Sequence, residues 1–297
     1  MQKVIVILGP TAVGKSALGV TLARAYGGEI ISADSRQVYT DLDIGTGKIT
    51  RKEMRGVSHH LLDIASPKKQ ISVATYQRLA RKKLAEINAR GSVPVIVGGT
   101  GLYIESIVND VSLPEVPPNV RLRKELEKKS IDELFSMLKK LDPKRAETID
   151  ASNPRRLVRA IEIATVLGSV PPYRNTPRSD IDPLFIGLTI PFNILRKKIA
   201  SRLLVRLKGG MIAEVRKLHA EGLSWRRMEA LGLEYRYLSR YLRGLLTKDE
   251  MIKKLQLEIV RYAKRQMTWF KRDKRIEWFK PTEKRVILKR VKEFLSP

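Results

Sequence analysis

The chain has 297 residues, 58 of them Lys or Arg and 31 Asp or Glu, so its formal net charge is +27 and its pI is about 10.3. It contains no cysteine, which excludes disulfide scaffolds, thiol nucleophiles and cysteine-based zinc sites, while a hydrophobic content of 43% is sufficient for a packed core. Such an excess of positive charge favours a polyanionic partner, of which nucleic acid is the common case.

The beginning of the chain runs from a short apolar segment directly into a glycine-rich loop, which predicts a first strand and not a signal peptide. No apolar run elsewhere approaches the roughly 18 residues that a membrane-spanning helix needs. We therefore expect a cytoplasmic protein with no membrane partner.

Short apolar runs alternate with longer amphipathic segments in the first third of the chain. Val4–Leu8, Glu29–Ser32 and Val93–Val97 are brief, apolar and bounded by turn residues, which predicts buried strands. Ser16–Ala25 and Val73–Ala89 carry the periodicity of helices. Strand–helix alternation of this kind predicts a parallel α/β sheet.

The pattern changes to helices without strands in the middle of the chain. Arg121–Lys140 and Arg155–Leu167 are predicted helices, and proline-rich segments at 114–119 and 170–177 flank this region. We therefore predict a mostly helical insertion over residues 114–182.

The remainder of the chain begins with a strand pattern at Pro183–Ile190 and is then mostly helical and basic. Between Arg261 and Lys292 there are thirteen Lys or Arg against three Asp or Glu, with aromatic residues interleaved. Basic residues suit RNA phosphates and aromatic rings suit splayed bases, although Trp269 and Phe270 fit the core face of an amphipathic helix equally well.

Residues 9–16 match the phosphate-loop pattern G-x-x-x-x-G-K-[ST] and stand between a predicted strand and a predicted helix. In this motif backbone N–H groups and the lysine surround phosphate oxygens, and the final hydroxyl suits Mg²⁺. The predicted di- or triphosphate site comprises Gly9, Pro10, Thr11, Ala12, Val13, Gly14, Lys15 and Ser16. The fold class is therefore α/β, with a P-loop NTPase-like core formed by 1–113 and completed within 183–297, a helical insertion at 114–182 and a basic helical C-terminal part.

Polar residues follow the next two predicted strands. Asp34 stands at the carboxyl end of the second strand, where it is either a helix N-cap or a catalytic group. Gly98-Gly99-Thr100 ends the third strand, either as a simple turn or as backbone and a hydroxyl close to the phosphates. Ordinary nucleotide-hydrolysing enzymes hold Mg²⁺ with an Asp at the end of an apolar strand. No apolar run of this sequence ends in such an Asp, which argues against an ordinary NTPase.

Six segments, in order from residue 3 to about residue 280, resemble the tRNA dimethylallyltransferases. They are GPTAVGKS, DSRQVY, DIGT at 43–46, HHLLD at 59–63, VGGTGLY and AKRQMTWF at 263–270. The P-loop alone would be weak support, whereas the set in this order is highly specific.

The resemblance implies transfer of the dimethylallyl group of dimethylallyl diphosphate to N6 of the adenosine on the 3′ side of the anticodon in tRNA, with release of diphosphate. It implies that the P-loop holds the diphosphate with Mg²⁺ at Ser16, that Asp34 is the general base, and that Thr100 and Arg202 are catalytic. Leu203-Leu204 follows Arg202 here, where the family usually has Val-Asp.

The resemblance also implies a surface for the anticodon stem-loop. It consists of Asp34, Ser35, Arg36, Gln37, Thr100, Arg121, Arg155, Arg156, Leu157, Val158, Arg159, Lys264, Arg265 and Gln266. Without the resemblance, the basic run 155–159 fits a solvated helix face. We expect a monomer.

Two alternative functions use the same loop. An isopentenyltransferase acting on free AMP or ATP would run the same chemistry, but a mononucleotide needs no wide cationic surface. A P-loop kinase would release ADP and no pyrophosphate.

Overall fold

The computed structural model describes residues 1–296, and these form eight strands and fourteen α-helices. The strands are β1 (Gln2–Leu8), β2 (Gly28–Ala33), β3 (His59–His60), β4 (Val93–Gly98), β5 (Asn109–Val111), β6 (Asn175–Pro177), β7 (Ile181–Leu188) and β8 (Glu277–Phe279). The helices are α1 (Lys15–Ala25), α2 (Arg51–Met54), α3 (Val73–Ala89), α4 (Gly101–Val108), α5 (Val120–Leu126), α6 (Ile131–Leu141), α7 (Pro143–Thr148), α8 (Pro154–Leu167), α9 (Phe192–Lys208), α10 (Met211–Ala220), α11 (Trp225–Leu231), α12 (Leu233–Leu242), α13 (Lys248–Phe270) and α14 (Lys284–Leu295).

A parallel sheet with the strand order β3-β2-β4-β1-β7-β8 forms the centre of the first of two compact units, which comprises Met1–Val108 and the chain from Pro177 onward. In the sheet, Ile5 of β1 lies opposite Val95 on one side and Leu184 on the other. The predicted α/β class with a P-loop-like core is confirmed.

Both faces of the sheet are covered, as the continuous apolar sequence of β1 requires. Val4, Val6 and Leu8 face the larger core, with helices α3, α4 and α9 to α13, whereas Ile5 and Ile7 face a smaller core with α1 and α14. This alternation follows from the two-residue period of a strand. Because all strands are parallel, the loops that follow β1, β2 and β4 meet at one edge of the sheet.

The second compact unit spans Asn109–Thr176, and its limits lie a few residues before the predicted boundaries 114 and 182. Its core is formed by residues of α5 to α8. The predicted continuous helix 121–140 is wrong: the chain turns between α5 and α6, and Ser130 starts α6 through a reciprocal capping box with Glu133. The Ser-x-x-Glu pattern was visible in the sequence and outweighs the helical periodicity around it.

The C-terminal part is mostly helical, as expected. Its longest helix, α13, has 23 residues and begins at a capping box between Thr247 and Glu250. Trp278 and Phe279, however, lie in the edge strand β8. Within residues 1–296, no helix has both the length and the apolar character needed to cross a membrane.

Candidate active site

The P-loop connects the centre of the sheet to α1. Gly9 has φ +140°, and a Cβ there would lie 2.5 Å from the carbonyl oxygen of Leu188, so only glycine fits. Gly14 precedes α1 without a side-chain cap, which leaves the first N–H groups of the helix without that acceptor. A helix N-terminus in this state attracts an anion.

A cavity of about 300 Å³ opens beside this loop, within the first unit. It brings together residues from the P-loop, the turn after β2, the end of β4, the loop after residue 45, α9 and α13. The lining residues are Thr11, Ala12, Gly14, Lys15, Ser16, Ala17, Asp34, Gln37, Thr46, Gly47, Glu53, Val97, Gly98, Gly99, Arg202, Tyr262 and Gln266. Much of the predicted phosphate and catalytic set therefore shares one cavity.

Lys15 is the cation at the centre of the P-loop. Its Nζ donates a hydrogen bond to the carbonyl of Pro10 at 2.7 Å. The pKa of Lys15 is lowered to about 8: burial lowers it most, the Asp34 carboxylate opposes this effect, and the Arg202 cation adds to the lowering. A buried diphosphate would replace the neutral carbonyl with a strongly negative partner.

Asp34 uses its two carboxylate oxygens differently. Oδ1 accepts hydrogen bonds from the N–H groups of Arg36 at 2.8 Å and Gln37 at 3.3 Å, so it caps the turn after β2. Oδ2 has no hydrogen-bond partner among residues 1–296, and Asp34 lines the cavity. The capping and catalytic interpretations are therefore compatible, because each needs only one oxygen.

Thr100 ties the turn after β2 to the start of α4. Its Oγ1 accepts from the Ser35 N–H at 3.1 Å, and its own N–H donates to the Ala33 carbonyl at 3.1 Å. Tyr262, one of the aromatic residues interleaved with the basic ones, lines the cavity, and burial raises the pKa of its hydroxyl. Only the position of α13 in the fold places Tyr262 here.

Gln266 joins two loops that line the cavity. Its Oε1 accepts from the Thr11 N–H at 2.9 Å and its Nε2 donates to the Gly99 carbonyl at 2.8 Å. It is 6% exposed, so both ends of the amide are engaged inside the protein, whereas Lys264 and Arg265 are exposed. Contact of Gln266 with tRNA stays a prediction.

The aromatic pair that follows on α13 packs inside the first unit. Phe270 is 3% exposed, and Trp269 donates from Nε1 to Glu105 at 2.8 Å. For Phe270 the structure supports the core interpretation.

Arg202 reaches the cavity from α9. Its Nη2 donates to the carbonyl of Gly47 at 3.2 Å, and both residues line the cavity. Leu204, at the position of the missing carboxylate, is 48% exposed, and the ion pair of this helix is made instead by Arg206 with Glu234 at 2.9 Å.

The predicted tRNA-contacting arginines of the second unit differ in how they are held. Arg121 has a side chain 93% exposed, 3.4 Å from Glu125, and Arg155 is also exposed. Arg156 pairs with Asp150 at 3.2 Å on the surface. These three side chains are accessible to a large ligand.

Arg159 and its neighbours serve the interior of the second unit. Arg159 donates to the Val116 carbonyl at 2.9 Å and to Glu162 at 3.3 Å, and the Glu162 side chain is fully buried. Although burial raises it, hydrogen bonds led by Arg123 hold the pKa of Glu162 below its usual value. Leu157 is fully buried in the core of this unit, and Val158 packs against that core.

Comparison with known proteins agrees with this arrangement. A sequence model of the family described as IPP transferase matches residues 37–273. The chain is 42% identical to a tRNA dimethylallyltransferase of Anoxybacillus flavithermus, covering 99% of this chain and 95% of that protein. It is 45% identical to tRNA dimethylallyltransferase 2 of Treponema denticola, covering 90% and 91%.

Solved structures show the same likeness. The full-length tRNA isopentenylpyrophosphate transferase of Bacillus halodurans superposes with a TM-score of 0.75 at 37% identity, covering 99% of this chain and 97% of that one. A eukaryotic dimethylallyltransferase acting on tRNA superposes with a TM-score of 0.79 at 27% identity, covering 94% and 74%. Because these matches run along nearly the whole chain, we conclude that this protein belongs to the IPP transferase family.

Proposed function

We propose that the protein transfers the dimethylallyl group of dimethylallyl diphosphate to N6 of the adenosine on the 3′ side of the anticodon in tRNA, releasing diphosphate. The observation that carries the proposal is a carboxylate oxygen with no hydrogen-bond partner among residues 1–296, Asp34 Oδ2, in the same cavity as Lys15 and the P-loop. The cavity thus combines a base with an anion site. The relatives that match nearly the whole chain are named for this transfer.

The diphosphate occupies the P-loop in this proposal. The N–H groups at the start of α1 and the Lys15 ammonium surround its oxygens, and Arg202 lines the same cavity. These donors stabilise the charge that collects on pyrophosphate as the bond from carbon to oxygen breaks.

Mg²⁺ is the cofactor that we propose for this site. Residues 1–296 contain no group of three or more His, Asp or Glu side chains that could hold a metal ion by themselves. Mg²⁺ commonly binds one or two protein oxygens and completes its shell with water and substrate phosphates, and the Ser16 hydroxyl beside the P-loop fits that role. When bound, the ion would spread the negative charge of the leaving group.

Asp34 acts on the acceptor. An adenine N6 is a weak nucleophile because its lone pair is delocalised into the ring. As N6 bonds to the allylic carbon and pyrophosphate leaves, the proton of the amine passes to Asp34 Oδ2, while Oδ1 continues to cap its turn. The base must leave its stack to reach the cavity, so base flipping is part of the proposal.

The acceptor is an anticodon stem-loop, and the protein acts as a monomer. The net charge of +27 and the exposed side chains of Arg121, Arg155, Arg156, Lys264 and Arg265 suit a long polyanion. Free AMP or ATP as the acceptor would leave this charge without a use.

The test is to incubate the protein with unmodified tRNA, labelled dimethylallyl diphosphate and Mg²⁺, to digest the RNA and to identify the labelled nucleoside. We expect label on the adenosine next to the anticodon, release of pyrophosphate and loss of transfer when a chelator removes Mg²⁺. Parallel reactions with AMP and ATP as acceptors should stay unlabelled. Labelled mononucleotide, or formation of ADP from ATP, would overturn the proposal.

A further inference from the structure

The loop Asp43–Gly47 forms one wall of the phosphate cavity, although it contributes no group to the chemistry proposed above. Thr46 and Gly47 line the cavity beside the P-loop. The loop is closed on itself, since the Gly47 N–H donates to the Ile44 carbonyl at 3.1 Å and the Lys48 N–H donates to the Asp43 carbonyl at 2.9 Å. These two bonds fix the shape of the loop but do not attach it to the rest of the protein.

Glu214 of α10 holds this loop by its backbone. Oε2 accepts from the N–H groups of Asp43 at 3.1 Å and Ile44 at 2.6 Å, and Oε1 accepts from Gly45 at 3.0 Å. Successive N–H groups that converge in this way form an anion-binding concavity. A carboxylate is an acceptor-only group with two oxygens, so it satisfies all three donors.

Two further side chains fix the same loop. The Tyr235 hydroxyl donates to Glu214 Oε1 at 2.8 Å, and a Cβ on Gly45 would lie 2.6 Å from that hydroxyl. Arg206 donates from Nη1 to the Gly45 carbonyl at 2.8 Å while its Nη2 pairs with Glu234 at 2.9 Å. Three helices, α9, α10 and α12, thus hold a loop that is distant in sequence.

The last residue of this loop orients an active-site cation, because the Gly47 carbonyl accepts from Arg202 Nη2 at 3.2 Å. We propose that Glu214 is a positioning residue for the diphosphate: it fixes the loop Asp43–Gly47, and the Gly47 carbonyl in turn orients Arg202 at the cavity. This inference rests on the proposed function for the identity of the anion. Glu214 itself acts only through the loop.

Glu214→Gln is the sharpest substitution. The amide keeps one oxygen for Asp43 and Ile44, but its NH₂ group then faces the N–H of Gly45, a donor against a donor. Tyr235→Phe removes one hydrogen bond from the same carboxylate and should act in the same direction more weakly. Glu229→Gln is the matched control, since Glu229 accepts from Arg240 at 2.7 and 2.9 Å on the neighbouring helices.

The measurement is calorimetric affinity for inorganic pyrophosphate with Mg²⁺, with a melting curve for each variant. We expect Glu214→Gln to weaken pyrophosphate binding about tenfold and Tyr235→Phe about threefold, because a misplaced charged donor loses much of its interaction. Glu229→Gln should bind pyrophosphate like the wild type even if it melts earlier. A folded Glu214→Gln variant that binds pyrophosphate with wild-type affinity would overturn the inference. If Glu214→Gln does not fold, a Tyr235→Phe variant with wild-type pyrophosphate affinity would overturn it instead.

A double-mutant cycle tests whether Glu214 acts through Arg202. In an Arg202→Ala background, Glu214→Gln should cause little further loss of pyrophosphate affinity, because the cation that it positions is gone. Losses that multiply would mean that Glu214 and Arg202 act independently and would overturn the inference. A wild-type protein that binds pyrophosphate but transfers no dimethylallyl group to tRNA would overturn the proposed function and leave the positioning role intact.

Discussion

The cavity beside the P-loop in the first unit and helix α8 of the second unit both gather cationic side chains, but the partners of these side chains differ. In the cavity, Lys15 and Arg202 donate to neutral carbonyls, those of Pro10 and Gly47. In α8, Arg159 is paired with the fully buried carboxylate of Glu162.

The difference shows which cations an anion can recruit. A neutral carbonyl is easily exchanged for a phosphate oxygen, whereas releasing Arg159 breaks its hydrogen bonds to the buried Glu162 carboxylate and to the Val116 carbonyl, a loss of about 1–3 kcal/mol. The cavity cations are therefore available to a ligand, and Arg159 is committed to the fold. Arg155 and Arg156 on the exposed side of the same helix remain available.

Asp34→Asn tests whether the cavity is the reaction site, and it has the largest expected effect. Asn keeps an oxygen to cap the turn, so we expect unchanged melting and binding but a loss of kcat of about 10²–10⁴-fold, the usual contribution of a general base. Single-turnover rates with bound tRNA measure it. A fast Asn variant would mean that Asp34 only caps its turn.

The availability of the cavity cations is tested by Lys15→Ala. We expect kcat/KM for dimethylallyl diphosphate to fall about 10²-fold, because one preorganised donor to the leaving group is removed. Affinity for tRNA should stay at the wild-type level, which filter binding can measure. If Lys15→Ala abolished tRNA binding but left kcat/KM for dimethylallyl diphosphate unchanged, the P-loop would bind tRNA and not the diphosphate.

The second unit allows its exposed arginines to be tested separately from Arg159, which is held by Glu162 and the Val116 carbonyl. Reversing the charge of Arg121, Arg155 and Arg156 together should weaken tRNA binding about tenfold or more. The slope of log affinity against log salt concentration should become shallower by about 0.7–0.9 for each RNA phosphate that the protein no longer neutralises. Stability should change little, because these side chains are exposed.

Arg159→Ala is the matched contrast. It removes the hydrogen bonds to Val116 and Glu162, so we expect a loss of about 1–3 kcal/mol in the free energy of unfolding. Denaturant unfolding measures this loss. If the variant with Arg121, Arg155 and Arg156 reversed binds tRNA with wild-type affinity, these three arginines belong to a solvated face and do not contact tRNA.

The fold was predictable where a local pattern is long enough to be periodic. The central strands and the helices α1, α3 and α8 follow from apolar periodicity, but β3, with two residues, and β8, with three, are too short to show one. The break between α5 and α6 was present as a capping box, but the surrounding helical pattern concealed it. The parallel sheet itself followed from alternation alone.

From the residues alone, the site was predictable only where its members are neighbours in sequence; Arg202 was expected only from the resemblance. The P-loop and Asp34 stand at strand ends and are visible as motifs. The hydrogen bond between Gln266 and Thr11 spans 255 residues, and that between Glu214 and Ile44 spans 170. No local pattern encodes a pairing of this kind, so the resemblance could place Gln266 in a motif without indicating what its amide binds.

The smallest predicted effect concerns pH and tests whether the charge of Lys15 in the cavity controls binding of the diphosphate. Burial lowers the pKa of Lys15 to about 8, so its ammonium is charged below that pH and loses its proton above it. Because kcat/KM for dimethylallyl diphosphate reports the enzyme before it binds the diphosphate, it should reach a plateau more than about one pH unit below this pKa and fall about threefold between pH 7.5 and 8.5. Arginine stays charged at any of these pH values, so an active Lys15→Arg variant should not show the decline. Affinity for tRNA depends on exposed arginines and should not fall over this pH range.

Initial rates at limiting dimethylallyl diphosphate and saturating tRNA, measured from pH 7 to 9.5, give the profile. A wild-type profile that stays level to pH 9.5, or a decline that persists in Lys15→Arg, would mean that the Lys15 proton does not control capture of the diphosphate.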